Sequence, residues 1–131
     1  MRVPKIIIGV GVVVLAMLLL TPQRHPNRYN TATEITLHGT VIDVRDFYCP
    51  ISSREGTHLM VATEKRTVEV HVAPRQFLDG KKWQFSRGDQ VDVSGSAIIF
   101  HGHDALIAQT ISRGNETLAL RDSGGKPIWT D

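Results

Sequence analysis

The 131-residue sequence is poor in cysteine and in aromatic residues, and most of it has no excess charge of either sign. Cys49 is the only cysteine, which excludes an internal disulfide. No C-x-x-C-H motif is present, so a c-type haem attachment site is excluded as well. Of the fifteen Lys and Arg residues, Arg2 and Lys5 precede the first apolar run, which leaves thirteen against thirteen Asp and Glu. Nucleic-acid-binding domains normally carry a basic excess, so this balance argues against that class.

Only one long apolar run is present, and it lies near the N-terminus. Residues 6–20 carry no polar side chain and follow a basic start. This arrangement is typical of a secretory signal or signal-anchor, and the lack of an A-x-A-like site favours an uncleaved anchor. We therefore expect a cytoplasmic segment at residues 1–5, a transmembrane signal-anchor at 6–21 and a linker at 22–33. These segments predict a single-pass inner-membrane protein whose C-terminal domain lies in the periplasm, outside the cytoplasm.

After residue 33 the sequence alternates between apolar and polar residues, and helical periodicity is nearly absent. A proline at the start and a glycine at the end of residues 74–80 predict one short helix there. We expect strands at residues 34–45, 57–64, 67–73, 89–100 and 105–112, with a closing hairpin formed by 116–121 and 127–129.

Three strands, a short helix and two further strands follow the order of an OB-fold, a five-stranded Greek-key barrel. Gly39 and Gly95 fall inside the first and fourth strands, where a small barrel bends sharply. We therefore predict that residues 34–131 form an all-β, OB-like barrel with one short helix and a C-terminal hairpin. A generic β-sandwich is the alternative.

Several stretches resemble a family of small, exported bacterial OB-like domains. They are DFYCPISSREGTHLMV, VEVHVAP, FSRGDQVDVSGS, ALIAQTISRGNETLALRD and GKPIW, within roughly residues 35–129. This family is similar to the domain shared by magnetosome-associated membrane proteins, the MamS/MamX-type domain. The resemblance implies a fold and a compartment rather than an activity.

Metal-ligating side chains are expected to converge on one surface of this barrel. A register with Glu64 opposite Thr67 places Met60 opposite His71, and both hairpin histidines on the non-core face as diagonal neighbours. In an OB-fold the loop before the second strand and the loop after the fourth border this face. The candidate metal ligands are therefore Cys49, His58, Met60, His71, His101 and His103.

Thiolate, imidazole and thioether ligands are favoured by copper, and sets of Cys and His also suit zinc. We therefore predict a non-catalytic, membrane-tethered binding or accessory module whose ligand is a transition metal, a small molecule or a partner protein. The plain alternative is a set of surface histidines with a buried cysteine and a gap-filling methionine. Two other classes stay open: a single-stranded nucleic-acid-binding OB protein, and an enzyme using Cys49 with His58 or His71 as base.

Overall fold

The chain is mostly β-structure in a computed structural model that describes residues 28–129. Its elements are β1 Glu34–Cys49, β2 Arg54–Ala62, β3 Thr67–Pro74, α1 Arg75–Gly80, β4 Gln90–Phe100, β5 His103–Arg113 and β6 Glu116–Ala119. The all-β prediction and the single short helix are confirmed. The predicted leader, the predicted membrane span and most of the predicted linker lie outside the described residues. Between residues 28 and 129, no helix is both long enough and apolar enough to span a membrane.

The six strands form one sheet in the order β3-β2-β1-β4-β5-β6, with antiparallel neighbours throughout. A short parallel pairing also joins β3 to β5, from Glu69 opposite Ala105 to His71 opposite Ile107. The first five strands therefore form a closed ring of pairings, and β6 extends the sheet beyond β5. Arg121 and Pro127 form one isolated bridge, and the amides of Asp122 and Ile128 donate to the carbonyl oxygens of Lys126 and Leu120, so the predicted C-terminal hairpin is present but short.

The main core lies inside this ring and follows the period-two alternation of the strands. Branched apolar side chains alternate along the second half of β2 and along β3, and Leu78 of α1 belongs to the same cluster. Removing each such side chain from water stabilises the fold by about 1.5–3 kcal/mol. The buried hairpin residues of this core are Leu59, Val61, Val68, Val70 and Val72.

The register of the β2–β3 hairpin differs by two residues from the prediction. Ala62 pairs with Thr67, and His58 pairs directly with His71 instead of lying diagonal to it. The predicted pairing of Thr67 with Glu64 is therefore wrong. Because side chains alternate with a period of two, this shift keeps residues 58–62 and 67–71 on their predicted faces but changes their cross-strand neighbours.

The turn between β2 and β3 explains the difference in register. The Thr63 amide donates to the carbonyl oxygen of Arg66 at 2.8 Å. The Thr63 hydroxyl oxygen accepts from the amides of Lys65, at 3.3 Å, and Arg66, at 3.1 Å. Threonine turns of this kind compete with strand pairing, so Thr63 and Glu64 belong to the turn and not to β2.

β1 is longer than predicted and places Cys49 at its end. The strand continues from the expected end at Arg45 to Cys49, which pairs with Arg54. The predicted loop of residues 46–56 shrinks to the four residues between β1 and β2. Cys49 is therefore held by strand pairing rather than carried on a long loop.

Candidate metal centre

Three side chains of metal-ligating type meet on the face of β2 and β3 that is turned away from the main core. Cys49 comes from the end of β1, while His58 and His71 are direct partners across the hairpin. One ligand atom from each residue lies within 4.8 Å of the other two. Sγ of Cys49 is 3.5 Å from Nδ1 of His71, and the two imidazole centroids are 4.2 Å apart.

Two local features of the backbone bring these side chains together. The register shifts between Thr57 and His58, and such a bulge increases twist and re-aims the neighbouring side chain. Gly56 precedes the bulge, and a Cβ added there would lie 3.3 Å from Cβ of Cys49 and 3.3 Å from the carbonyl oxygen of Ala73. The missing side chain at Gly56 thus leaves room for the cysteine.

The three side chains are buried, with exposures of 4% for Cys49, 1% for His58 and 3% for His71. Phe47 packs against His58 with ring centroids 4.0 Å apart, and Phe100 packs against His71 at 4.6 Å. The sequence predicts the correct face for both histidines, but the prediction that this is an open outer face is wrong. Aromatic rings from the end of β1 and the end of β4 form a second layer over it.

Glu69 lies beside both imidazoles and orients that of His58. Its Oε1 is 3.0 Å from Nδ1 of His58, and its Oε2 is 3.9 Å from Nε2 of His71. A carboxylate that accepts a ring N–H fixes the tautomer and leaves the other nitrogen as the ligand atom. For His58 that atom is Nε2, which is buried and has no hydrogen-bond partner among the described residues. On the other ring, Nδ1 of His71 lies 3.5 Å from the sulfur, and Nε2 is also buried without a hydrogen-bond partner among the described residues.

The histidines set the protonation state of the cysteine. Burial alone raises the pKa of the Cys49 thiol, but the adjacent imidazoles of His58 and His71 and the backbone amides of Ser52 and Ile51 lower it to about 5. Burial lowers the pKa of His58, while the neighbouring sulfur of Cys49 and the carboxylate of Glu69 raise it above its ordinary value. Cys49 is therefore a thiolate at neutral pH, which is the form that binds metals.

A cavity of about 10 Å³ adjoins the two histidines and the cysteine. Space of this size holds about one water-sized particle. It is large enough for a single ion. Arg121 and Trp129 close the cavity on its other side, and the strand pattern gives no indication of either.

The other three predicted ligands do not join this cluster. Met60 pairs with Glu69 and does not line the cavity. His101 and His103 are exposed at the β4–β5 connection, where His101 stacks on Phe100 with ring centroids 4.1 Å apart. The predicted convergence of His101 and His103 with the hairpin ligands is not seen, since neither belongs to the group formed by Cys49, His58 and His71. A two-residue turn with positive φ at both positions, His101 and Gly102, connects the two strands.

Glu69, Phe47 and Phe100 are the parts of the site that the sequence analysis did not assign. Glu69 stands two residues before His71 and therefore shares its face, so a carboxylate–histidine pair was visible in the strand pattern. The aromatic cover was not visible, because both rings come from strands remote in sequence.

One family model matches this chain: the MamS/MamX magnetosome protein family, over residues 33–118. The matched segment contains Cys49, His58, Glu69 and His71, and it ends before the C-terminal turn. No curated protein matches the sequence.

Proposed function

The chain belongs to the MamS/MamX magnetosome protein family, and we propose that it is a magnetosome-associated accessory module that binds one transition-metal ion through Cys49, His58 and His71. The observation that carries this proposal is the meeting of three buried ligand atoms within 4.8 Å of one another. Buried polar atoms are normally satisfied, so an unpartnered imidazole nitrogen beside a thiolate calls for a ligand.

The distances within the cluster suit a single ion. Zinc–sulfur and zinc–nitrogen bonds measure about 2.3 and about 2.0 Å, so two such ligands at a tetrahedral angle lie about 3.5 Å apart. Sγ of Cys49 and Nδ1 of His71 are 3.5 Å apart. A thiolate with two imidazoles is the ligand set of trigonal copper centres and also occurs at zinc. The ion that we propose is therefore copper or zinc, with Glu69 as the outer partner of the imidazoles.

We interpret the closed ring of β1, β2, β3, β5 and β4 as an OB-like barrel. The helix α1 lies between β3 and β4, as in that fold, and the face of the second and third strands is its usual binding surface. The metal cluster is built on this face, on the side turned away from the core.

We further propose that residues 6–21 tether the domain to the inner membrane and that the domain works in the periplasm. The support is the basic start and the uninterrupted apolar run of residues 6–20. A partner protein that supplies or receives the ion is compatible with such a tethered module.

Elemental analysis of the full chain tests the metal site. The chain is purified reduced and without a histidine tag, exposed to copper or zinc, and separated from unbound metal. We expect close to one ion per chain, and loss of that ion in Cys49→Ser, His58→Ala and His71→Ala. Copper(II) bound to the thiolate should add an intense visible absorption band that zinc does not give.

His101→Ala and His103→Ala are the matched controls, since both residues are exposed histidines outside the cluster. These variants should keep the full metal content. Circular dichroism shows whether each cluster variant still folds, and Cys49→Ser changes only one atom of the side chain. A folded Cys49→Ser that keeps its metal, or a wild-type chain that retains none, would contradict the proposal.

A further inference from the structure

The number of ligands at the proposed metal site favours copper over zinc. Cys49, His58 and His71 form the group, and no Asp, Glu or further His of the described residues joins it. Zinc normally takes four ligands, whereas a thiolate with two imidazoles forms the trigonal set of copper electron-transfer centres. Met60 is the only methionine of residues 28–129 and does not line the cavity, so this stretch supplies no axial thioether. The axial ligand tunes the potential of such a centre, and weak axial ligation favours copper(I).

Strand pairing holds the ligands in place. Cys49 is paired with Arg54 at the end of β1, and the two histidines are direct partners across the hairpin. Glu69 fixes the imidazole of His58 from the outer side at 3.0 Å. Side chains on paired strands are positioned more precisely than those on loops. A ligand set that keeps its geometry in both oxidation states suits a one-electron centre, because little has to rearrange when the electron moves.

The charges around the site favour the lower oxidation state of copper. The sulfur of Cys49 and the carboxylate of Glu69 are negative, while Arg121 is the only Lys, Arg, Asp or Glu among the described residues that line the cavity. The negative charge of Cys49 acts on this guanidinium. Asp46, next to the cavity, is paired with Arg75 and adds no net charge. With copper(I) the charges at the site cancel, whereas copper(II) leaves one positive charge in excess, which is costly when buried.

Exposed aromatic rings connect the buried cluster with the surface. Phe47 packs on His58 with ring centroids 4.0 Å apart, and 39% of Phe47 is exposed. A second path runs from His71 through Phe100 to the exposed ring of His101, with centroids 4.6 and 4.1 Å apart. An electron crosses packed rings of this kind without an open channel, so the ion can stay in place while the electron is exchanged at the surface.

We propose that a copper ion bound by Cys49, His58 and His71 cycles between copper(I) and copper(II) and exchanges single electrons with another metal centre. This inference rests on the proposed function and states what the bound ion does. In the oxidation, copper(I) gives one electron to the oxidised partner metal and becomes copper(II). The thiolate and both imidazoles stay bound, no bond is broken and no proton moves.

Redox titration of the copper-loaded full chain tests the proposal, with ferricyanide as the oxidant and ascorbate as the reductant. Elemental analysis first gives the copper content, which is the test of the proposed function. We expect one electron per bound copper, a thiolate–copper(II) absorption band that appears and disappears over repeated cycles, and an unchanged copper content. The zinc-loaded chain is the control and should exchange no electrons.

The two proposals fail in different ways. A chain that binds no copper overturns the proposed copper site together with this inference. A chain that binds one copper but loses it on oxidation, or in which ferricyanide consumes the Cys49 thiol, keeps the metal site and overturns the redox role alone.

The potentials of two variants test the role of charge with opposite signs. Arg121→Gln removes the positive charge and should reduce the preference for copper(I) about tenfold, which is about 59 mV for one electron. Glu69→Gln removes a negative charge and should shift the preference by a similar factor in the other direction. Arg121→Lys keeps the charge, and Lys126→Gln alters an exposed lysine that does not line the cavity, so both should stay near the wild-type potential. Unchanged potentials, or shifts of the same sign in Arg121→Gln and Glu69→Gln, would overturn the assignment of the copper(I) preference to these charges.

Discussion

At the scale of single residues, the sulfur of Cys49 and the imidazole of His58 form a charge pair when no metal is bound. The pKa of Cys49 falls from an ordinary value of 9.0 to about 5. A lowered acidic pKa contributes stability that is complete above the ordinary value and is lost as the pH falls through about 5. The pKa of His58 is raised, so its contribution is complete below its ordinary pKa of 6.5 and is lost as the pH rises through the raised value. The metal-free fold should therefore weaken on acidification towards pH 5.

The variant His58→Ala should raise the pKa of Cys49 from about 5 towards its ordinary value, because the neighbouring imidazole of His58 is the strongest influence that lowers it. The ultraviolet absorbance of the thiolate, followed against pH in the metal-free chain and corrected with Cys49→Ser, measures this shift. His38→Ala is the control, because His38 is exposed and pairs with Asp92 instead. An unchanged Cys49 pKa in His58→Ala would show that the thiolate is stabilised by something else.

Some parts of the site were predictable from residue identity and some were not. Strand alternation alone places His58 and His71 on one face, and it places Glu69 there as well. Their proximity to Cys49 follows from the length of β1. The turn-forming residues after Arg45 indicated a loop there, so the sequence did not predict that β1 continues to Cys49. The burial of the histidines depends on Phe47 and Phe100, whose positions require the complete sheet. The metal role of the cluster stays a prediction until an ion is measured.

At the scale of elements, the close approach of β4 and β5 depends on a residue without a side chain. A Cβ added at Gly95 would overlap the carbonyl oxygen of Ile107, next to the register shift between Ser94 and Gly95. Gly39 has a comparable restriction against the carbonyl oxygen of Ala62. A strongly coiled sheet requires such positions, and glycines inside alternating strands were a sound indication of them.

The variant Gly95→Ala should lower the free energy of unfolding by about 1–3 kcal/mol, because the backbones of two paired strands must separate to admit the methyl group. Gly80→Ala is the matched control. A Cβ at Gly80 meets nothing within 4 Å and the residue ends a helix, so we expect a change between zero and about 1 kcal/mol in the stabilising direction. Chemical denaturation measures both, and equal effects would contradict the steric explanation.

Element order was predictable because each strand and the short helix carry their own local pattern. The register of the β2–β3 hairpin was less predictable, because it depended on whether Thr63 and Glu64 extended β2 or formed the turn. The Thr63 hydroxyl hydrogen bonds decided in favour of the turn. A register error of two residues leaves the side chains on the same face of the sheet, so the pattern of apolar and polar residues cannot reveal it.

At the scale of the whole molecule, the segment before β1 packs against the C-terminal turn and the sheet. The Asn30 amide donates to Oγ of Ser96 at 2.9 Å, so residues at the end of the predicted linker contact β4. Tyr29 packs against Gly125, where an added Cβ would overlap the tyrosine ring. These contacts join segments far apart in sequence, which no local pattern predicts.

The variant Gly125→Ala should lower the free energy of unfolding by about 1–3 kcal/mol. Gly125 has a φ of 88°, which disfavours a side chain, and the new methyl group would also displace Tyr29. Gly124→Ala, in which the added Cβ lies 3.5 Å from Oδ1 of Asp122, should change stability by no more than about 0.5 kcal/mol. Thermal unfolding of the two variants compares them directly, and a Gly125→Ala chain as stable as Gly124→Ala would show that this contact adds nothing.

Phe47 and Phe100 pack against the two imidazoles, so neither imidazole can swing away from the cluster unless a phenyl ring also moves. Under the metal-binding proposal, release of an ion would require this part of the sheet to loosen, and its rate should depend on that motion as well as on the metal–ligand bonds. Release should then respond only weakly to the concentration of a competing chelator, and a partner that loosens the aromatic packing would speed transfer.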